Sequence, residues 1–362
     1  MKIRQFVPAV YPRDAVGGHV LRLDEQLRRR GHDAQIVVES HHPETRDRTV
    51  GVDALPPDPD DGVNVFHVAT GTVLADVVTH RSEPLVLVHH DLTPIDQVAA
   101  WDAELVVALA LARRQFEALA KRATLGIGDS EHNRRELVRA GCRQTTTAPL
   151  VFDLPEAVET SRTDPPTVLF VGRFAPNKGH EHLIAAIRLL RRRMPDVVLR
   201  CIGGSSVPEY RRSLDRLVEH EGLGDAVRFD DAISDDDLRQ AYATASVFCC
   251  VSAHEGFGMP LIEAMHHGLP VVAWDAAAVG ETVGTGGIVL PDRETTTVAT
   301  ALERVLSDDD LAARLVVAGR ARAEQFGVDT AVDRFVAALG GLEQPADDTG
   351  PTDDPMIEET AP

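Results

Sequence analysis

The sequence is poor in positive charge, in cysteine and in long apolar runs. Its 362 residues carry 37 Lys and Arg against 57 Asp and Glu, a formal net charge of −20 at pH 7. This balance argues against nucleic-acid binding, which needs a basic face. The four cysteines form no Cys-x-x-Cys pair and are expected to be buried, reduced thiols. No stretch of 18 apolar residues and no apolar signal-peptide region occurs, so we expect a soluble, cytoplasmic protein.

Lysine is also scarce, which makes each one informative, and it occurs only at positions 2, 121 and 178. Arginine is abundant, and two runs, 28–30 and 191–193, lie near predicted helix ends, where cations favour the helix dipole. We interpret them as solvated helix ends, while a peripheral contact with a membrane surface stays open. Acidic clusters at 58–61, 235–237 and 308–310 are interpreted as solvated acids, the last two in the first turns of helices. No metal site is predicted.

Strand-like and helix-like segments alternate along the chain, the pattern of a parallel sheet with helices on both faces. The alternation breaks over residues 153–166, which are rich in Pro, Asp, Glu and Thr. We predict a first Rossmann-like domain over 1–155 and a second over 165–328, facing each other across a cleft. Residues 343–362 are predicted to be a disordered acidic tail.

The most informative segment is 254–265, with the sequence HEGFGMPLIEAM. It follows a buried strand pattern, so that Glu255 lies on a loop at the carboxyl end of a strand and Glu263 lies in the next helix. Ligands of open α/β sheets bind at that edge. Gly256 and Gly258 let the backbone approach a ligand closely, and the free N–H groups of a helix start favour an anion. A phosphate beside two acids predicts a ligand such as a sugar nucleotide.

A second constellation, VGRFAPNKGH over 171–180, again connects a strand to a helix. Arg173 and Lys178 are expected to project from this loop toward the same sheet edge as Glu255. As a diphosphate clamp, the arginine offers paired donors and the lysine a compact charge. A solvated loop with routine cations is the alternative, and the presence of Glu255 and Glu263 favours the clamp.

Two weaker signals lie in the first domain. Gly17 and Gly18 precede a helix and would permit backbone contact with a phosphate or a sugar, without the G-x-G-x-x-G spacing of a dinucleotide fold. His89 and His90 end a strand, where a histidine faces the cleft. A structural role and a metal role are alternatives, but no Cys or carboxylate grouping with ligand spacing accompanies them. We favour a hydrogen bond to substrate.

In this order the motifs resemble family 4 glycosyltransferases, the retaining, nucleotide-sugar-dependent enzymes of the GT-B fold. The resemblance covers about residues 3–325, and its most specific elements are the Glu-x7-Glu spacing from Glu255 and the segment from Gly172 to Gly179. Residues 130–133 and 280–282 are supporting matches. The resemblance implies an α/β GT-B fold with two Rossmann-like doubly wound domains, and a helix over 329–342 that crosses back onto the first domain.

The resemblance also implies a role for individual residues of the second domain. Arg173 and Lys178 would hold the diphosphate and neutralise the leaving group without a metal ion. Glu255 would bond the hydroxyls of the donor sugar, and Glu263 those of the ribose. The intervening loop would supply backbone N–H groups to sugar and phosphate through Gly256, Phe257, Gly258 and Met259.

In the first domain, Gly17 would pack near the diphosphate and the acceptor. His90 would contact the sugar across the cleft, and it is preferred over His89 because it aligns with the single histidine that the family has after that strand. The residues predicted to be catalytic are therefore Glu255, His90, Arg173 and Lys178, and no metal ligand is among them.

The implied reaction moves a sugar, with retention, from a nucleotide-diphosphate donor to an acceptor hydroxyl, with no cofactor. Envelope polysaccharide or glycolipid assembly at the inner face of the membrane is an expectation from the family. A nucleotide-sugar-binding protein without transfer activity and a sugar-nucleotide epimerase remain alternatives. A phosphorylase would need pyridoxal phosphate on a lysine, and Lys178 is the sole lysine near the cleft. The base, the donor sugar, the acceptor and the oligomeric state are not predicted.

Overall fold

The computed structural model describes residues 1–12, 14–56, 60–157, 164–231 and 233–342. Each half of the chain forms an α/β domain around its own parallel sheet, as the alternating pattern predicts. Asp58 of the first acidic cluster, residues 158–163 of the predicted linker and the predicted tail over 343–362 lie outside the described residues.

The first domain has seven strands in the order β3-β2-β1-β4-β5-β6-β7. They are β1 (Lys2–Val7), β2 (Asp33–Val38), β3 (Thr49–Gly51), β4 (Val63–Val68), β5 (Leu85–His89), β6 (Leu125–Gly128) and β7 (Thr145–Thr147). The helices are α1 (Ala15–Arg29), α2 (Leu74–Thr79), α3 (Ala103–Arg122) and α4 (Glu131–Arg139). Both β4 and β5 are buried along their whole length, as expected of central parallel strands.

The second domain has six strands in the order β10-β9-β8-β11-β12-β13. They are β8 (Thr167–Val171), β9 (Val198–Ile202), β10 (Val227–Asp230), β11 (Val247–Cys250), β12 (Val271–Trp274) and β13 (Ile288–Leu290). The helices are α5 (His180–Leu190), α6 (Pro208–His220), α7 (Asp235–Thr244), α8 (Met259–His266), α9 (Val279–Val283), α10 (Thr295–Ser307) and α11 (Asp309–Ala323). The strand order reverses between β8 and β11, and ligands of such sheets bind outside the carboxyl ends of the strands at this point.

Polar side chains fix the starts of several helices. The hydroxyl of Ser130 accepts a hydrogen bond from the amide of Asn133 at the start of α4, and Ser234 caps α7 in the same way. At α11 the cap is Asp308, whose carboxylate accepts from the Leu311 amide, while Ser307 ends the preceding helix. The acids of the second and third clusters thus serve helix starts, as the sequence analysis expects.

The cysteines are buried and unpaired. Burial raises the pKa of the Cys249 thiol above its ordinary value, and it raises that of Cys250 to about 11, so both remain thiols at neutral pH. Among the described residues, the helices are all too short or too polar to cross a membrane.

The last helix, α12 (Val328–Gly340), follows the second domain in sequence but packs against the first. Its side chains Val332 and Phe335 share a buried cluster with Ile3 and Leu27 of β1 and α1. Arg30 at the end of α1 also pairs with an acid of this helix. The chain therefore crosses between the domains twice, once near residue 152 and once before α12.

Phe335→Ala is expected to lower the free energy of unfolding by about 3–5 kcal/mol, because it removes a large side chain from the first domain's core and leaves a cavity. Phe335 is 1% exposed. Urea denaturation measures the loss. Val317→Ala on α11 is the control, since that side chain is 71% exposed and its loss should change stability by about 0.5 kcal/mol or less. Equal effects of the two substitutions would contradict the packing of α12 described here.

Candidate active site

A lysine and a glutamate from the two most specific motifs meet at the switch point of the second sheet. Lys178 lies on the loop after β8, and Glu255 lies on the loop after β11. The Nζ atom of Lys178 donates to Oε1 of Glu255 over 2.6 Å, and the side chains are only 12% and 15% exposed. Because little water screens this pair, each charge acts more strongly on the other, and on a ligand beside it, than it would at the surface.

Backbone contacts hold the Lys178 loop against its neighbours. The amide of Phe174 donates to the carbonyl of Gly204 over 2.9 Å, and the amide of Ala253 donates to that of Asn177 over 2.7 Å. Gly179 has a φ of 68°, and a Cβ there would lie 2.8 Å from the carbonyl oxygen of Val251. The loop after β8 is thereby fixed to the loop after β11, which places Lys178 beside its partner.

Arg173 lies on the same loop, five positions before Lys178, and its side chain is exposed. Within the described part of the chain it has no ion-pair partner. The structure therefore brings Lys178 and Glu255 together and leaves the guanidinium of Arg173 in solvent.

The glycine loop between the two glutamates leads directly into α8. Gly258 has a φ of 85°, and no side chain caps the helix that starts after it, so that its first N–H groups are of the kind that binds anions. The side chain of Phe257 points into the core, with its ring centroid 6.1 Å from Phe152 and 5.7 Å from Phe326. Met259 also packs against that core. These two residues can thus offer a ligand mainly their backbone.

Glu263 lies on α8, apart from the Lys178–Glu255 pair. Its carboxylate accepts a hydrogen bond from the hydroxyl of Tyr242 on α7 over 2.7 Å. Burial raises the pKa of Glu263 above its ordinary value, although the hydrogen bond from Tyr242 opposes the shift. The fold therefore holds a carboxylate here whose charge costs stability, which is common at functional sites.

Glu263→Gln is expected to raise the free energy of unfolding at neutral pH. Because the folded protein holds the Glu263 proton more tightly than the unfolded chain, stability falls as the pH rises through the raised pKa. The glutamine does not titrate, and its amide oxygen can still accept from Tyr242. Urea denaturation from neutral to acid pH should show the difference shrinking as the pH falls. Exposed Glu219→Gln on α6 is the control, and a difference that does not change with pH would contradict the raised pKa.

In the first domain, His90 is held by hydrogen bonds on both ring nitrogens. Its Nε2 lies 2.8 Å from Nδ1 of His67, and its Nδ1 lies 3.3 Å from a carboxylate oxygen of Asp129. His67 in turn lies 3.1 Å from Oε1 of Gln5 on β1. Burial lowers the pKa of His67 well below its ordinary value. The imidazole of His90 therefore has a fixed orientation at the carboxyl edge of the first sheet.

Gly17 lies in the first turn of α1 and packs closely against the loop that precedes this helix. A Cβ there would lie 2.1 Å from the carbonyl oxygen of Tyr11, so that only glycine fits, and its amide donates to Asp14 over 3.3 Å. The neighbouring His19 is buried, and its Nδ1 accepts from the amide of Val151 over 2.8 Å. The amide of Gly17 thus already donates a hydrogen bond to the helix cap, whereas the sequence predicts backbone contact with a ligand here.

The two domains contact each other at this site. Nε2 of His254 lies 2.6 Å from Oδ1 of Asp91, the residue after His90. Burial opposes a charge on His254, but the carboxylate outweighs it and raises the pKa of the imidazole. A Cβ on Gly256 would lie 2.3 Å from Cβ of Asp91 and 3.1 Å from the carbonyl oxygen of His90. The glycine loop of the second domain therefore lies against the histidine segment of the first.

Helix α4 makes a second contact between the domains. The carboxylate of Glu281 accepts from the amides of Glu131 over 2.8 Å and His132 over 3.3 Å, a favourable place for a negative charge at a helix start. The side-chain amide of Asn133 donates to the carbonyl of Gly256 over 3.2 Å. Residues 130–133 and 280–282, the supporting matches in the sequence, therefore touch each other in the structure.

Several residues of the site carry no role in the sequence analysis. Asp129 and Asp91 follow the ends of β6 and β5, a position that could have marked them as cleft residues. His67 lies inside an apolar strand, and Tyr242 lies on a helix whose partner is decided by packing. For these two the sequence contains no local signal.

The second half of the chain matches a known protein family. Residues 153–322 match the family described as glycosyl transferases group 1. One relative, a GDP-mannose-dependent alpha-(1-6)-phosphatidylinositol monomannoside mannosyltransferase of Mycolicibacterium smegmatis, is 35% identical over 166 residues, which are 43% of each chain. A D-inositol 3-phosphate glycosyltransferase of Streptomyces griseus is 33% identical over 183 residues, 47% of this chain and 39% of the relative. The chain thus matches less than half the length of these relatives.

Solved structures resemble the chain over nearly all of its length. Sucrose-phosphate synthase from Thermosynechococcus elongatus has a TM-score of 0.77 at 21% identity, covering 94% of this chain and 99% of its own. The HepE protein of Anabaena, in complex with UDP and glucose, has a TM-score of 0.73 at 22% identity, covering 94% and 100%. At this identity the likeness establishes the fold alone. The GT-B fold and the resemblance to a glycosyltransferase family are confirmed.

Proposed function

We propose that the chain is a retaining glycosyltransferase, because residues 153–322 match the family described as glycosyl transferases group 1. It would move a hexosyl group from a nucleotide-diphosphate sugar to an acceptor hydroxyl without a metal ion. In this proposal residues 165–328 bind the donor, and residues 1–155 bind the acceptor.

The observation that supports the proposal most is the contact between Lys178 and Glu255 at the switch point. Breaking a sugar–phosphate bond builds positive charge on the anomeric carbon and negative charge on the diphosphate. A cation beside the phosphate and an acid beside the sugar, already in position, favour that separation of charge. When the donor binds, Lys178 turns from the glutamate to the diphosphate, and Glu255 accepts from sugar hydroxyls.

The other site residues are assigned in the same proposal. The guanidinium of Arg173, free of ion pairs with described residues, completes the diphosphate clamp. Glu263 accepts from the ribose hydroxyls, and the uncapped start of α8 with Gly256 and Gly258 supplies backbone donors. His90 is assigned to the donor sugar from the first domain, and because its side chain is 1% exposed and both ring nitrogens are hydrogen-bonded, one of these bonds must break when the donor binds. Gly17 keeps the loop after β1 close to the diphosphate and the acceptor.

The acceptor and the cellular setting are proposed more broadly. One relative is named for a phosphatidylinositol mannoside acceptor and another for inositol 3-phosphate, so we propose a hydroxyl acceptor of envelope glycolipid or polysaccharide assembly. The protein would then work in the cytoplasm with peripheral contact at the membrane's inner face. UDP-glucose and GDP-mannose are the first donors to test.

The experiment that tests the proposal is donor turnover in the presence of EDTA. We expect release of a nucleoside diphosphate that EDTA does not reduce, and an α-linked product from an α-linked donor. Calorimetric binding of a nucleotide without turnover on any acceptor would instead favour a binding protein without transfer activity. The proposal would be overturned if no common donor gave either turnover or nucleotide binding.

A further inference from the structure

A cluster of three metal-ligating side chains spans the boundary between the domains. Asp91 follows β5, and His132 lies in the first turn of α4, both in the first domain. His254 lies on the loop after β11 in the second. One ligand atom from each of the three lies within 4.8 Å of the other two. The cluster is absent from the sequence analysis because its members come from three distant segments.

We propose that Asp91, His132 and His254 bind a divalent transition-metal ion of the zinc type and that this ion fastens the two domains together. Two imidazoles and one carboxylate are a donor set that zinc accepts, with a fourth position left for water. The ion would replace the direct contact of 2.6 Å between His254 and Asp91. It takes no part in sugar transfer.

The state of His132 supports this assignment. Its Nε2 is buried and lacks a hydrogen-bond partner among the residues that the structure describes, a costly arrangement for a polar atom. Its ring lies edge-on to that of His254, with the centroids 5.6 Å apart.

A second group of polar side chains adjoins the cluster at Asp91. Asp91 also belongs to a second cluster, in which its ligand atom lies within 4.8 Å of those of His89 and Glu136. Nε2 of His89 lies 3.1 Å from a carboxylate oxygen of Glu136. A carboxylate and an imidazole that are fixed by their own hydrogen bond thus lie beside Asp91.

A third cluster consists of three histidines, His19, His67 and His90, and their ring nitrogens are not available to a metal ion. Nδ1 of His19 accepts from the amide of Val151, so its Nε2 carries the proton and has no lone pair. Both nitrogens of His67 are already within hydrogen-bond distance of His90 and Gln5. A metal ion there would have to break this network, whereas the first cluster includes His132, whose buried Nε2 has no hydrogen-bond partner among the described residues.

The position of the cluster gives the ion a consequence. Asp91 is next to His90 in the chain, and His254 is next to Glu255. An ion bound by both Asp91 and His254 would therefore hold the cleft closed beside the proposed donor site. Donor entry and product release require the domains to separate. Bound zinc therefore slows turnover, while the metal-free protein transfers sugar at its full rate.

Calorimetric titration of the EDTA-stripped, desalted protein with zinc chloride tests the proposal. We expect the wild-type protein to bind one zinc ion per chain. The Kd for zinc should rise about tenfold or more in His132→Ala and in His254→Ala, because each substitution removes a ligand. His220→Ala is the matched control, because that histidine is exposed at the end of α6. Absence of stoichiometric binding would overturn the proposal, and so would an equal loss in the control variant.

Two further readouts test the fastening of the domains. Small-angle scattering should show zinc making the wild-type protein more compact and leaving His132→Ala unchanged. Zinc should also slow transfer by the wild type and not by His132→Ala, whose side chain has no part in the proposed donor site. Because binding and scattering are measured without a donor, they decide the metal site even if the transferase proposal fails. Compaction of both proteins by zinc would contradict the assignment.

Discussion

Lys178→Ala is expected to lower the rate of sugar transfer by about 100-fold or more, the effect of losing one fixed donor to a developing negative charge. The substitution also leaves Glu255, which is 15% exposed, without its cation. That acid would then repel the diphosphate that the lysine attracts. Initial rates under saturating donor measure the loss.

The same variant should lose the preference for a diphosphate over a monophosphate. Wild-type protein is expected to bind a nucleoside diphosphate more tightly than the monophosphate, and Lys178→Ala to bind the two about equally, by calorimetry. Lys121→Ala is the matched control, because Lys121 is an exposed lysine at the end of α3. If Lys178→Ala retained full activity and full preference, the diphosphate clamp would be wrong.

Gly256→Ala is expected to lower kcat by about 100-fold, the scale on which a displacement of about 1 Å acts in an active site. A Cβ at this position would lie 2.3 Å from Cβ of Asp91, closer than real side chains approach. The added methyl group must therefore push the domains apart by moving the loop of one away from that of the other.

Gly224→Ala provides the comparison for this substitution. A Cβ at Gly224 has no neighbour within 4 Å among the described residues, so its activity should match the wild type. Steady-state kinetics separate kcat from KM, and small-angle scattering with bound nucleotide should show a less compact Gly256→Ala protein. Loss of activity in both variants to the same extent would show that the close approach to Asp91 is not the cause.

The architecture followed from the sequence because parallel strands leave a strong signal. Strands β4 and β5 are buried on both faces, and β5 begins with four consecutive apolar residues, while β4 is apolar at four of its six positions. The edge strands β3 and β7 have three residues each and were missed. A segment so short shows no periodicity, and its pairing depends on a neighbour supplied by the rest of the sheet.

Part of the site was also within reach of the sequence. Lys178 and Glu255 are 77 positions apart, yet both follow strands of one parallel sheet, so their carboxyl-end loops were expected to lie at one edge. Their direct contact could not be read from the pattern, because it depends on which strands are neighbours. In the fold, β8 and β11 pair with each other.

The sequence does not predict which residues of the two domains contact each other. Asp91 and His254 are 163 positions apart, on loops of different domains. Their meeting depends on the angle between two separately folded bodies. The carboxylate of Glu281 at the start of α4 is a similar case. The sequence placed the histidine segment after β5 and the glycine loop after β11 at the cleft, but it could not say which of their residues would touch.

The most direct test of the account is a crystal structure of the protein with a bound nucleoside diphosphate. We expect the terminal phosphate within hydrogen-bond distance of Lys178 and Arg173, beside the start of α8, with the ribose hydroxyls on Glu263. A nucleotide bound elsewhere, or one whose phosphates lie in solvent while Lys178 stays paired with Glu255, would contradict it.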